Sequence, residues 1–197
     1  MSNYWGVRVA KAQRALTDKS LKQVEAQLAK YYSTAMKRII ADFEATYDKL
    51  FLTVGEGKTP TPADLYKLNK YWQLQAQLKK ELDSLGKKQL SALSKIFEVN
   101  FFEIYNSYTL GGIEAFNTID KTAALQLINA IWVADGKSWS ERVWNNTEKL
   151  AEMLNEELIA CVATGKKTTQ LKCALQERFG VSYSNADMLA RTELAHI

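Results

Sequence analysis

The residues that could do chemistry in this chain are few, and their spacing limits what they could do together. His196 is the only histidine, and Cys161 and Cys173 are the only cysteines, twelve positions apart with no CxxC pair. A transition-metal site needs about four nitrogen, sulfur or carboxylate ligands brought to one point, so no metal site and no cofactor are expected. Glu156 and Glu157 are adjacent and would diverge by about 100° around a helix, which does not make an acid–base carboxylate pair. No serine-centred elbow and no glycine-rich phosphate loop occurs. The chain therefore reads as a non-enzyme.

The remaining candidates are aromatic and charged side chains. Three of the five tryptophans, Trp132, Trp139 and Trp144, fall in one short stretch. Ser140 suits a helix N-cap, which would set Trp139 at N′ and Trp144 at N4 as a hydrophobic staple, with Trp132 beneath. The same aromatic cluster could instead anchor a partner, since tryptophans dominate interface energetics. Near the end stands Ala190-Arg191-Thr192-Glu193. Arg191 and Glu193 are two apart and cannot pair on a helix, whereas Asp187 and Arg191 are spaced for an i,i+4 ion pair.

"TTQLKCALQERFGVSYSNADMLARTEL" has the outline of a helix-turn-helix, with a turn at Phe179-Gly180 and a last helix opening at Ser182. A reading helix needs cations toward phosphates, and Asp187 and Glu193 here oppose Arg191. A plain helical hairpin is expected.

These residues must be positioned by helices. Two prolines and nine glycines among 197 residues, with abundant Lys, Gln, Leu, Ala and Glu, predict an all-α chain. From about Trp5 to Phe51, apolar residues recur at Val24, Leu28, Tyr31, Ala35, Ile39, Phe43, Tyr47 and Leu50, with a break or turn expected near "LTDKS" at Thr17–Ser20. Such a helix outruns a compact domain, so the stripe at Ile39, Phe43 and Tyr47 is expected to await a partner. "VGEGKTPTPAD" is a loop. Thr61 as N-cap, Pro62 at the first helical position and Asp64 in the first turn open the second helix. That helix is expected to stop at Gly86, and a third, antiparallel to it, at Gly111-Gly112.

A softer boundary follows, giving residues 1–112 as an extended basic arm and hairpin and 113–197 as a compact helical module. Asp120 or Thr122 caps a helix carrying Leu125, Ile128, Ile131 and Trp132 as far as Gly136. The next runs to Gly165, and Thr168 caps a short one. Both cysteines are expected in the core, reduced, in a protein made in the cytosol.

Charge divides unevenly. Residues 1–100 carry 17 Lys/Arg and 10 Asp/Glu, a net of 17 − 10 = +7; residues 101–197 carry 9 and 12, a net of −3. The basic half invites an acidic surface or nucleic acid, or is simply solvated. The N-terminus lacks the apolar run of a signal peptide, and no stretch of about 18 apolar residues could span a bilayer.

"MSNYWGVRVAKAQ", "GKSWSERVWNNTEKLAEMLNEELIACVATG" and "LKCALQERFGVSYSNADMLARTELAHI", in that order, resemble the phage Mu F-like minor head proteins, the head-morphogenesis family of tailed bacteriophages. The likeness covers nearly the whole chain and is strongest from Gly136 onward. It implies a low-copy protein of the virion, inside the head near the portal, present in the host cytoplasm during assembly. It implies portal binding, assistance in procapsid assembly and genome delivery, and a structural rather than catalytic role. Scaffolding or major capsid protein would be further partners, and packaged DNA would meet the basic N-terminal half. By matching position the family landmarks are Ser140, Arg142, Trp144, Arg191, Thr192 and Glu193; Trp139 joins them as a candidate partner contact. Members commonly continue into a segment with paired cysteines and a histidine, so the uncapped apolar ending at Leu194 and Ile197 is expected to be covered by further sequence. Two other readings stay open: a DNA-binding helical module using the basic half, and the delivery adaptor of a toxin whose active segment lies beyond Ile197.

Overall fold

The computed structural model describes residues 4–55, 58–109 and 120–197. All regular structure among them is helical: α1 (Tyr4–Val54), α2 (Pro62–Tyr66), α3 (Asn69–Thr109), α4 (Lys121–Ile128), α5 (Trp139–Ala163) and α6 (Thr168–His196). The all-α expectation holds. The Gly111-Gly112 stop, and the boundary placed there, lie outside the described residues.

Two compact units form, each drawing on both halves of the sequence. Unit 1 takes its described residues from within Met1–Leu28, Gln89–Val143 and Ala186–Ile197; unit 2 comprises Ala29–Lys88 and Trp144–Asn185. Unit 1 buries Val24 and Leu28 of α1, Leu93 and Phe97 of α3, Ala124 of α4, Val143 of α5, and Ala190 and Leu194 of α6. Unit 2 buries Ile39, Phe43, Tyr47 and Leu50 of α1, Leu74, Leu78, Leu82 and Leu85 of α3, Leu150, Leu154 and Leu158 of α5, and Leu171, Leu175 and Phe179 of α6. The α1 stripe thus needs no partner to cover it: Ile39, Phe43 and Tyr47 are at most 1% exposed within the chain itself. Leu194, expected to wait for further sequence, is likewise buried.

Three expected breaks are absent. At "LTDKS", α1 runs on, because Ser20 is a core position whose hydroxyl donates to Asn100 Oδ1 at 3.3 Å. A paired hydroxyl can be buried at little cost. At Gly86, α3 continues: a Cβ there would come 2.6 Å from Cζ3 of the Trp144 ring, so the glycine serves close packing rather than a turn. At Phe179-Gly180, α6 continues as a single 29-residue helix. Leu171, Leu175, Phe179, Ser182, Ala186, Ala190 and Leu194 are all buried, in steps of three and four that pass straight over the glycine. One interior glycine costs a helix about 1 kcal/mol, less than the burial on either side of it contributes. No helix-turn-helix exists in this segment.

The loop before α2 forms as expected. Gly55 takes φ +88°, Thr61 caps, Pro62 begins the helix, and Thr61 and Asp64 close a reciprocal capping box. The Thr61 hydroxyl, the Lys67 ammonium and the Thr61 N–H hold the Asp64 carboxyl down from 3.8 to about 2. The helix that follows is only one turn long; Lys67 and Leu68 interrupt it before α3 starts. α4 is also shorter than expected, ending at Ile128, so Ile131 and Trp132 lie in an irregular link. Asp120 holds its N-cap position without a side-chain capping bond. Lys167, not Thr168, precedes α6; its N–H donates to Gln170 Oε1, while the Thr168 hydroxyl donates to Asp48.

At the end of α5, Gly165 at φ +61° does terminate the helix. Its N–H donates to the Val162 carbonyl and that of Lys166 to the Cys161 carbonyl, the paired bonds of a Schellman ending. Cys161 is buried and its thiol pushed up by burial, but Cys173 is exposed, correcting its assignment to the core.

Candidate functional site

Six of the seven candidate contact residues fall in unit 1, at the start of α5 and the end of α6, and the link after α4 leads into them. The link is held by local hydrogen bonds. Asn129 closes α4 by donating its amide to the Leu125 carbonyl at 2.8 Å, and its Oδ1 accepts from the Trp139 indole at 3.0 Å. Gly136 at φ +68° turns the chain. Asp135 then accepts from the Lys137 N–H at 3.1 Å and from the Arg142 guanidinium at 2.7 Å. Those two interactions, the backbone one foremost, hold the Asp135 carboxyl below its ordinary range.

The cap of α5 is Ser138, not Ser140. The Ser138 hydroxyl accepts from the Glu141 N–H at 3.3 Å, and the Glu141 carboxylate accepts from the Ser138 N–H at 2.7 Å. This reciprocal pair is a capping box, and it draws the Glu141 carboxyl downward. Serines two apart compete for the same role, and Ser138 wins because Glu141 stands three residues after it. Trp139 is therefore the first residue of the helix, and the expected staple register is lost. It is buried instead with its ring edge-on to Phe97 at 5.3 Å. Ser140 shares a 3.0 Å hydrogen bond with the Ser138 hydroxyl. Arg142 reaches Asp135 through one nitrogen, while its buried Nε has no partner among the described residues.

At the other end of the sequence, Arg191 pairs with Asp187 at 2.8 Å, as its spacing predicts, and also with Glu25 of α1. The Thr192 hydroxyl donates to the Met188 carbonyl one turn back and faces solvent. Glu193 is the unusual member. It is only 4% exposed, and its Oε2 accepts from the Trp132 indole N–H at 3.0 Å. The Trp132 ring stacks on His196 at 4.0 Å and 15°. The link before α5 and the last turn of α6 are thereby joined through three side chains. Trp132 and His196 went unrecognised in this role because the indole and the carboxylate are 61 residues apart, beyond any periodicity.

Trp144 departs from the group. It belongs to unit 2, against Gly86, where it lines a groove of about 410 Å³ with Leu78, Leu82 and Ala151. Trp139 and Trp144, read as two halves of one clamp, belong to different units, Trp139 buried in unit 1 and Trp144 half-buried on a groove of unit 2.

Chemically, unit 1 offers ion pairs, a buried carboxylate and stacked rings. Among the described residues, no group of three or more His, Cys, Asp or Glu is placed to hold a metal ion, and no helix is long and apolar enough to cross a membrane. No protein-family model, no curated protein and no solved structure matches the chain.

Proposed function

We propose that this chain is a minor head protein of a tailed bacteriophage, of the phage Mu F-like kind. In this reading it binds the portal inside the head, assists procapsid assembly and genome delivery, and does no catalysis. The sequence signatures from Gly136 to Trp144 and from Ala190 to Glu193 motivate the reading. The observation that most supports it is that Trp139, Ser140 and Arg142 of the first signature and Arg191, Thr192 and Glu193 of the second, far apart in the chain, belong to one compact unit, where Glu193 accepts from Trp132 of the link that leads into α5. An all-α chain with four described helices of 25 to 51 residues also suits a protein that must lie along a larger assembly.

The test uses the full chain and the portal protein of the same phage. The chain should be detected by mass spectrometry in purified particles at a few copies per portal ring. It should also co-sediment with isolated rings at moderate salt. Absence from particles, together with failure to co-sediment, overturns the reading. If the chain binds duplex DNA instead, with affinity falling steeply as salt rises, the phosphate-binding role of the basic half takes its place.

A further inference from the structure

We infer that a cleft in unit 2, between the last turns of α1 and the link from α5 to α6, docks an acidic protein segment bearing a bulky apolar side chain. The cleft measures about 650 Å³, room for one or two side chains of a partner. None of the landmark residues lines it, and the inference stands whether or not the partner belongs to a phage head.

Its floor is apolar. Phe51 packs on Tyr47 with ring centroids 5.0 Å apart, and Leu52 beside it is 83% exposed. An aliphatic side chain this exposed, next to a half-buried aromatic ring, is a surface that gains by being covered. The rim is basic. Lys58, Lys166 and Lys167 are exposed, and none of them forms an ion pair among the described residues. The acid on the lining is Asp48, which is engaged by the Thr168 hydroxyl at 2.7 Å. Three lysines against one aspartate leave the described lining at 3 − 1 = +2.

The wall carrying two of those lysines is fixed by backbone geometry. Gly165 ends α5 in the left-handed region, and the Tyr47 hydroxyl donates to the carbonyls of Cys161, at 3.1 Å, and of Lys166. Burial pushes the Tyr47 phenol up to about 12, so it stays a neutral donor at neutral pH. Preorganised cations over an apolar floor match carboxylates flanking a leucine or phenylalanine. Charge complementarity would speed encounter, and the apolar anchor would slow release. A nucleic-acid strand would use the lysines but would leave Leu52 uncovered, because its backbone asks for a continuing basic track.

The probe is a fluorescein-labelled dodecapeptide of Glu and Asp around a single Phe, titrated onto the full chain with anisotropy as the readout. Lys166→Glu with Lys167→Glu should weaken binding about tenfold or more, and Leu52→Ala several-fold. Leu52 is exposed, so its removal leaves the fold intact and keeps the test valid should the charge reversal destabilise the chain. The same peptide with Phe replaced by Ser should bind more weakly than the parent. Three results overturn the inference: no binding of the parent peptide, equal binding by wild type and all variants, or equal competition by a twelve-residue oligothymidylate.

Discussion

Gly86 and Gly180 both sit within long helices, but their surroundings are opposite. At Gly86 an added methyl would meet the Trp144 ring, whereas around Gly180 nothing lies within 4 Å of an added Cβ. Gly180→Ala should therefore stabilise the chain by about 0.5–1 kcal/mol through helix propensity alone. Gly86→Ala gains the same propensity but forces the indole to move, and should destabilise by about 1–3 kcal/mol. Urea unfolding of both variants distinguishes the cases; equal stabilisation would mean that the Gly86–Trp144 contact does not exist. Asp64 supplies a titration. Its carboxyl is depressed from 3.8 to about 2 by the Thr61 hydroxyl, Lys67 and the Thr61 N–H. A depressed acid contributes stability above its unfolded value and loses it as pH falls through the folded one. The contribution of this cap is thus whole above about pH 4 and gone below about pH 2. NMR titration of the Asp64 carboxyl should show the low midpoint, and Thr61→Val should return it toward the ordinary value.

Helix entry and exit are decided by small sets of side chains, and α5 illustrates both. Its exit at Gly165 needs only a residue that tolerates positive φ. Its entry depends on which of two serines has a glutamate three positions later. Ser138→Ala should cost about 1 kcal/mol, as loss of an N-cap does, while Ser140→Ala should stay within about 0.5 kcal/mol. Thermal unfolding of the two single variants separates them, and the opposite order would restore Ser140 as the cap. The long helices pose a different question: what carries α3 through Gly86 and α6 through Gly180. In each, buried residues continue at three- and four-residue steps on both sides of the glycine. A helix stays intact where its buried face is unbroken, because tertiary burial outweighs one poor helix former.

For the whole molecule, the notable property is that α1, long enough to look like an arm, is buried along one face by the chain's own helices. Val24 and Leu28 lie in unit 1, and Ile39, Phe43, Tyr47 and Leu50 in unit 2, all essentially without exposure. Backbone amides of residues 39–50 should be strongly protected from hydrogen exchange in the isolated chain, opening only with the unfolding of unit 2. Rapid exchange there, slowed on adding a partner, would return α1 to the status of an uncovered arm. The proposed docking cleft depends on the same core. Tyr47 anchors the α5–α6 link to α1, and through it the backbone of Lys166 is held in place.

By itself the sequence determined the helical class, the stripe on α1, the capping box at Thr61 and Asp64, the glycine ending of α5 and the Asp187–Arg191 pair. Each rests on residues within about one helical turn of one another, or on a repeated local period, and such short-range physics is written in the order of residues. Tertiary structure alone decided the rest. Gly86 reads as a stop until an indole 58 positions away is found to need the space. Ser20 reads as a break until Asn100 accepts a hydrogen bond from its hydroxyl. Glu193 reads as a solvated acid until it is found buried, with the Trp132 indole donating to it. A local signal for a turn is weak, of order 1 kcal/mol, and a buried contact from a distant helix outweighs it. Where such contacts meet, periodicity carries no information about the partner, and only the folded chain shows which residue it is.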